Sequence, residues 1–88
     1  MVTIQEATRN AMLFAQESLG QERTKSLQLE EIESATEGRK EVWRITLSMP
    51  ESLNPLAALG GRRDYKTFAV VKSTGEVLSM RIRDLSRA

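Results

Sequence analysis

The sequence predicts an α+β domain in which one N-terminal helix lies across a curved antiparallel sheet of four strands. Three observations carry that expectation: a capped amphipathic run at residues 3–19, four alternating strand-like runs after it, and a tight turn at residues 73–76 joining the last two.

Thr3 and Glu6 have the T-x-x-E spacing of a capping box, so the helix is expected to begin at Thr3. Ile4, Ala7, Ala11, Phe14, Ala15 and Leu19 recur at helical spacing opposite Gln5, Glu6, Arg9, Asn10, Gln16 and Glu17. Gly20 supplies the stop. The three alanines permit close approach to a sheet, with Phe14 as the anchor.

The first strand, expected over residues 26–35, alternates at Leu27 and Leu29 and then loses phase, because the next apolar residue is Ile32. One extra residue at Glu30-Glu31 would return Ile32 to the inner face, which predicts a β-bulge. Glu37-Gly38-Arg39-Lys40 turns the chain into a second strand with Trp43, Ile45, Leu47 and Met49 inside and Arg44, Thr46 and Ser48 outside. Pro50 ends it by removing a donor. Residues 50–63 form the longest irregular stretch, with one capped helical turn expected at Asn54-Pro55-Leu56-Ala57-Ala58-Leu59. The third strand, residues 63–72, sets Phe68 and Val70 against Tyr65, Thr67, Ala69 and Val71. After a turn with Gly75 at positive φ, the fourth, residues 76–85, points Leu78, Met80 and Ile82 inward.

A chain of 88 residues makes one domain, residues 1–88, with a thin core that a partner subunit would reinforce. Hydrophobic residues at 40% and charged residues at 28% are ordinary for a soluble globular protein. Cysteine and histidine are both absent. That excludes disulfides, thiolate metal sites, zinc centres built on either residue, and nucleophilic triads that use a histidine base. The N-terminus has no basic n-region followed by an apolar run, and no stretch is long and apolar enough for a membrane span, so a cytoplasmic protein without membrane contact is expected. Residues 1–44 carry six basic and eight acidic side chains and residues 45–88 seven and four, too mild an asymmetry to point to a polyanion.

The helix of residues 4–19, the strand Val42-Trp43-Arg44-Ile45-Thr46-Leu47 and the closing hairpin of residues 65–80 together resemble the cystatin-like and PepSY-like group of small domains. The resemblance implies a helix packed on a curved four-stranded sheet. It spans functions from protease inhibition to plain dimerisation, so it implies no single activity. The Q-x-V-x-G motif of the cystatin inhibitory hairpin does not occur at residues 49–63, and no signal peptide of the PepSY kind precedes the helix.

No catalytic motif and no cofactor signature is present, so no catalytic residue, metal ligand or cofactor is assigned. Glu30, Glu31 and Glu33 could hold a cation, but read more simply as a solvated edge that discourages aggregation. Arg44, Arg81 and Arg83 share the predicted outer phase and, with Tyr65 for stacking, make the best nucleic-acid argument in the chain. Lys66 is out of phase with Tyr65, which weakens it. Trp43 reads as core. Gly60-Gly61-Arg62-Arg63 lacks the P-loop lysine and reads as a basic loop end.

The expectation is a non-enzymatic module that binds a protein partner or another copy of itself as a homodimer. Leu53, Leu56 and Leu59 would bury apolar area, and Tyr65, Arg44 and Arg81 would give polar anchoring. Small-ligand or enzymatic use of the helix–sheet concavity and nucleic-acid binding are the alternatives.

Overall fold

Helix α1 occupies Ile4–Leu19 and is followed by strands β1 (Gln28–Glu37), β2 (Lys40–Pro50), β3 (Arg63–Val71) and β4 (Val77–Arg83). The computed structural model describes residues 1–22, 24–50 and 63–83. All neighbouring strands are antiparallel and the sheet order is β1-β2-β3-β4, so the fold class is the expected α+β with one N-terminal helix. Among the described residues no helix is long and apolar enough to cross a membrane.

The helix starts where the capping box places it. Glu6 N–H donates to Thr3 Oγ1 at 3.1 Å, and Thr3 N–H donates to the Glu6 carboxylate at 3.3 Å, so two otherwise orphaned amides are satisfied. At the other end Gly20 takes φ 90° and donates its N–H to the Gln16 carbonyl at 3.0 Å. The buried Thr24 hydroxyl then donates to the Gly20 carbonyl at 2.8 Å, which folds the connection back towards β1.

Ala7, Ala11 and Ala15 are fully buried, and their small side chains let α1 settle closely on β2, β3 and β4. Beneath them Ile45, Leu47, Phe68 and Val70 form the centre of the core, with Phe14 meeting Phe68 edge to face at a centroid distance of 6.2 Å. Ile4 departs from the expected buried stripe, being 41% exposed at the first turn. The N-terminal end of α1 is tied to the β3–β4 turn: Val2 N–H donates to the Lys72 carbonyl at 2.8 Å and Asn10 Nδ2 to the Gly75 carbonyl at 2.9 Å. Gly75 is required there twice over, by its φ of 80° and because a Cβ would lie 2.8 Å from Asn10 Nδ2 and 3.0 Å from Val2 Cγ1.

Two bulges set the phase of the edge strands. On β1, Leu29 pairs with Leu47 and Glu31 with Thr46, so Glu30 is the extra residue and Ile32 returns to the helix side, as the sequence predicts. On β4, Ser79 pairs with Ala69 but Val77 with Val70, which leaves Leu78 as the extra residue. This corrects the expected inward set of β4. Val77 packs on the core in place of Leu78, which is 40% exposed. Ile82 keeps the inner phase opposite Lys66, but the apolar cluster ends at Met80 on this strand, and Ile82 is 81% exposed.

Candidate interaction surfaces

β-strand alternation sends every second side chain of β1–β4 to the face that, among the described residues, carries no helix, and the register gathers the charged ones into clusters of ion pairs and hydrogen bonds. Arg44 on β2 and Arg81 on β4 converge on one carboxylate. Arg44 Nε lies 3.2 Å from Glu37 Oε2, and Arg81 Nη2 lies 4.0 Å from Glu37 Oε1. Arg44 also approaches Glu33 at 3.8 Å. Arg83 Nη1 donates to Glu31 at 2.9 Å and to Thr46 Oγ1 at 3.1 Å, and Thr46 in turn shares a hydrogen bond with Thr67. At the Pro50 end of β2 the Ser48 hydroxyl donates to Glu30 at 2.7 Å and accepts from Arg63 Nε at 2.9 Å, while Arg63 Nη2 reaches the carbonyls of Ser26 and Ser48.

Part of this face is also buried. Val42, Ser48 and Thr46 on β2, and Ala69 and Val71 on β3, are all buried although α1 lies on the other side of the sheet. The arginines expected to form a basic stripe each face a carboxylate. Ser48 and Glu30 are residue types found in hydrolytic dyads, but the Ser48 hydroxyl is fully buried and engaged on both sides. Among the described residues no three acidic, histidine or cysteine side chains converge as a metal site would need.

Of the residues singled out from the sequence, Tyr65, Arg44 and Arg81 share the helix-free face, Tyr65 opposite Ser48 and Arg83. Leu53, Leu56, Leu59 and the helical turn expected around them lie outside the described residues. Lys66 has the inner phase and is buried between Leu47 and Ile82, away from Tyr65. Trp43 packs on the core from a half-buried position, with the Lys72 ammonium 4.2 Å from its ring centroid. Lys72 also donates to Ser34 Oγ, which fixes the ammonium over the indole. The buried Trp43 Nε1 has no hydrogen-bond partner among the described residues.

Sequence reasoning missed a second surface, an open groove of about 630 Å³ between α1 and β1. Ile4, Thr8, Met12 and Leu13 form its helix wall and Leu29 and Ile32 its strand wall. Leu13 is 49% and Leu29 45% exposed, so an apolar strip faces solvent beside a strand that is outermost in the sheet among the described residues. The signal was present in Met12 and Leu13, which widen the apolar arc of α1 beyond what the sheet below it covers. The groove exists because α1 rests on β2, β3 and β4 and leaves most of β1 bare.

A smaller concavity of about 590 Å³ lies at the turn end of the sheet, where Arg39, Lys40 and Lys72 mingle with Glu41 and Glu76. Its charges are mixed in sign. No family model, no curated protein and no solved structure matches this chain.

Proposed function

We propose that this chain is a non-enzymatic protein-binding module of cystatin-like architecture, and that its binding surface is the α1–β1 groove together with the free edge of β1. One observation carries the reading: ten residues of edge strand run beside an apolar groove whose walls, Leu13 and Leu29, are about half exposed. An extended segment entering there would add backbone hydrogen bonds to β1 and place alternate side chains against Ile4, Met12, Leu13 and Ile32. Backbone pairing would give affinity, and the apolar pocket would select side chains. The helix–sheet interior supports this reading over small-ligand or enzymatic use, because it is filled by alanine, aliphatic and aromatic side chains. Ion pairing on the helix-free face likewise supports it over nucleic-acid binding.

A displayed library of linear peptides, panned on the immobilised chain and counter-panned on a Leu13→Lys/Ile4→Lys variant, tests the reading. Enrichment of peptides with alternating apolar residues that the variant releases is the expected result. Equal recovery on both proteins, or no enrichment, would contradict it.

A further inference from the structure

The two free edges of the sheet differ in charge. β1 carries Glu30, Glu31, Glu33 and Glu37 and no basic residue; β4 carries Arg81 and Arg83 and no acidic one. Among the described residues these are the outermost strands. We propose that the occupant of the α1–β1 groove is the β4 edge of a second copy of this chain, joined head to tail. The inference rests on the proposed binding surface and names its partner.

Direction and phase both fit. Because the four strands alternate in direction, a second copy set beside β1 with its helix on the same side presents β4 antiparallel to β1. The rows of the sheet show which residues then share a face. Leu29, Leu47, Lys66 and Ile82 form one row; Glu31, Thr46, Thr67 and Arg81 form the next. Continued by one copy, the first row places the exposed Ile82 beside the exposed Leu29, and the second places Arg81 beside Glu31. A shift by two residues keeps apolar against apolar and exchanges the charged partners, since side chains alternate with period two.

Pairing like edges fails the same test. An antiparallel β1–β1 contact centred on Ile32 sets Glu31 against Glu33 of the other copy, and a β4–β4 contact centred on Ile82 sets Arg81 against Arg83 of the other copy. Like charges directly opposite one another on a sheet are destabilising. The unlike edges are opposite in charge and the like edges are not, so the proposed contact is heterologous and extends to rings or chains rather than stopping at a two-fold dimer. Ile82, which the monomer leaves 81% exposed on the inner phase, acquires an apolar neighbour in this arrangement.

Sedimentation velocity on the full chain with two single variants tests this. The wild type should grow beyond the dimer as concentration rises through the micromolar range, and less so at high salt. Ile82→Lys disables only the β4 edge and Leu29→Lys only the β1 edge, and both side chains are exposed, so the folded circular-dichroism spectrum should persist. Each variant alone should stay at 9.9 kDa. Mixed, they should form a one-to-one complex and nothing larger, because each retains one working edge. A wild type that is monomeric throughout, an Ile82→Lys variant that assembles like the wild type, or a mixture without the complex would each overturn the proposal. Should either lysine disturb folding, the pair Arg81→Glu and Glu33→Arg, which alters only the two longest ion pairs on this face and sits diagonally across the contact, gives a second readout: each alone assembles less than the wild type, and the mixture grows as the wild type does, because the exchanged edges attract and the unchanged edges still match. Peptides still enriched on the groove after such a failure would leave the proposed function standing with a different occupant.

Discussion

Arg83 on β4 donates to Glu31 on β1, at opposite edges of the sheet, across a width of about 14 Å at roughly 4.8 Å per strand spacing. Both side chains must extend over β2 and β3 to meet, and Arg83 bonds Thr46 on the way. The pair is a cross-tie between the two strands that are outermost among the described residues. The Arg83 and Glu31 side chains are 37% and 45% exposed, so the Coulombic gain is screened. A double-mutant cycle on Arg83→Ala and Glu31→Ala, read by urea unfolding, should give a coupling of about 0.5–1 kcal/mol. Additive effects would show that the tie holds nothing together.

Gly75 is the position where backbone and packing agree most closely. Gly75→Ala should cost more than about 1 kcal/mol, because the new Cβ meets both positive φ and the Asn10 and Val2 side chains. Asn10→Ala, which removes only one hydrogen bond, should cost about 1 kcal/mol. Melting curves of the two variants decide the order, and an unperturbed Gly75→Ala protein would move the helix N-terminus away from this turn.

Thr3→Ala should lower stability by about 1 kcal/mol through loss of the capping box. Thr3→Ser should recover most of it. If alanine and serine behave alike in thermal melts, the helix does not begin at residue 4.

Trp43→Ala should cost about 2–3 kcal/mol, below the usual range for a fully buried aromatic because the ring is half-buried and one face meets Lys72. Lys72→Met keeps the stem and removes the cation. It should alter the indole fluorescence while leaving the melting point within a few degrees, and an unchanged emission spectrum would remove the ammonium from the ring.

The elements that sequence reading recovered are those fixed by local rules. The Thr3–Glu6 box, the Gly20 stop, the period-two alternation of β2 and the phase slip at Glu30 all act within a few residues of chain. The Leu78 bulge was hidden because Val77 and Leu78 are both apolar, so either could face inward and alternation alone does not choose. The network on the helix-free face was hidden for another reason. Arg83 meets Glu31 through the folding of four strands, and Glu37 gathers Arg44 and Arg81 from strands two apart. Tyr65, Arg44 and Arg81 were placed on one face correctly, but their partners depend on side-chain length across the sheet. The α1–β1 groove follows from the sideways placement of the helix over β2, β3 and β4; Met12 and Leu13 show in the sequence that the apolar arc is wide, but not which strand the excess lies beside.

Amide hydrogen exchange, followed residue by residue at low and high protein concentration, tests the central claim most directly. An edge strand has alternate amides with no partner in the sheet, and these exchange freely until another strand covers them. The account predicts that such amides in β1 and β4 slow together as concentration rises, while β2 and β3, already paired on both sides, keep their rates. Exchange in β1 and β4 that is independent of concentration, or slowing in β1 without β4, would contradict it.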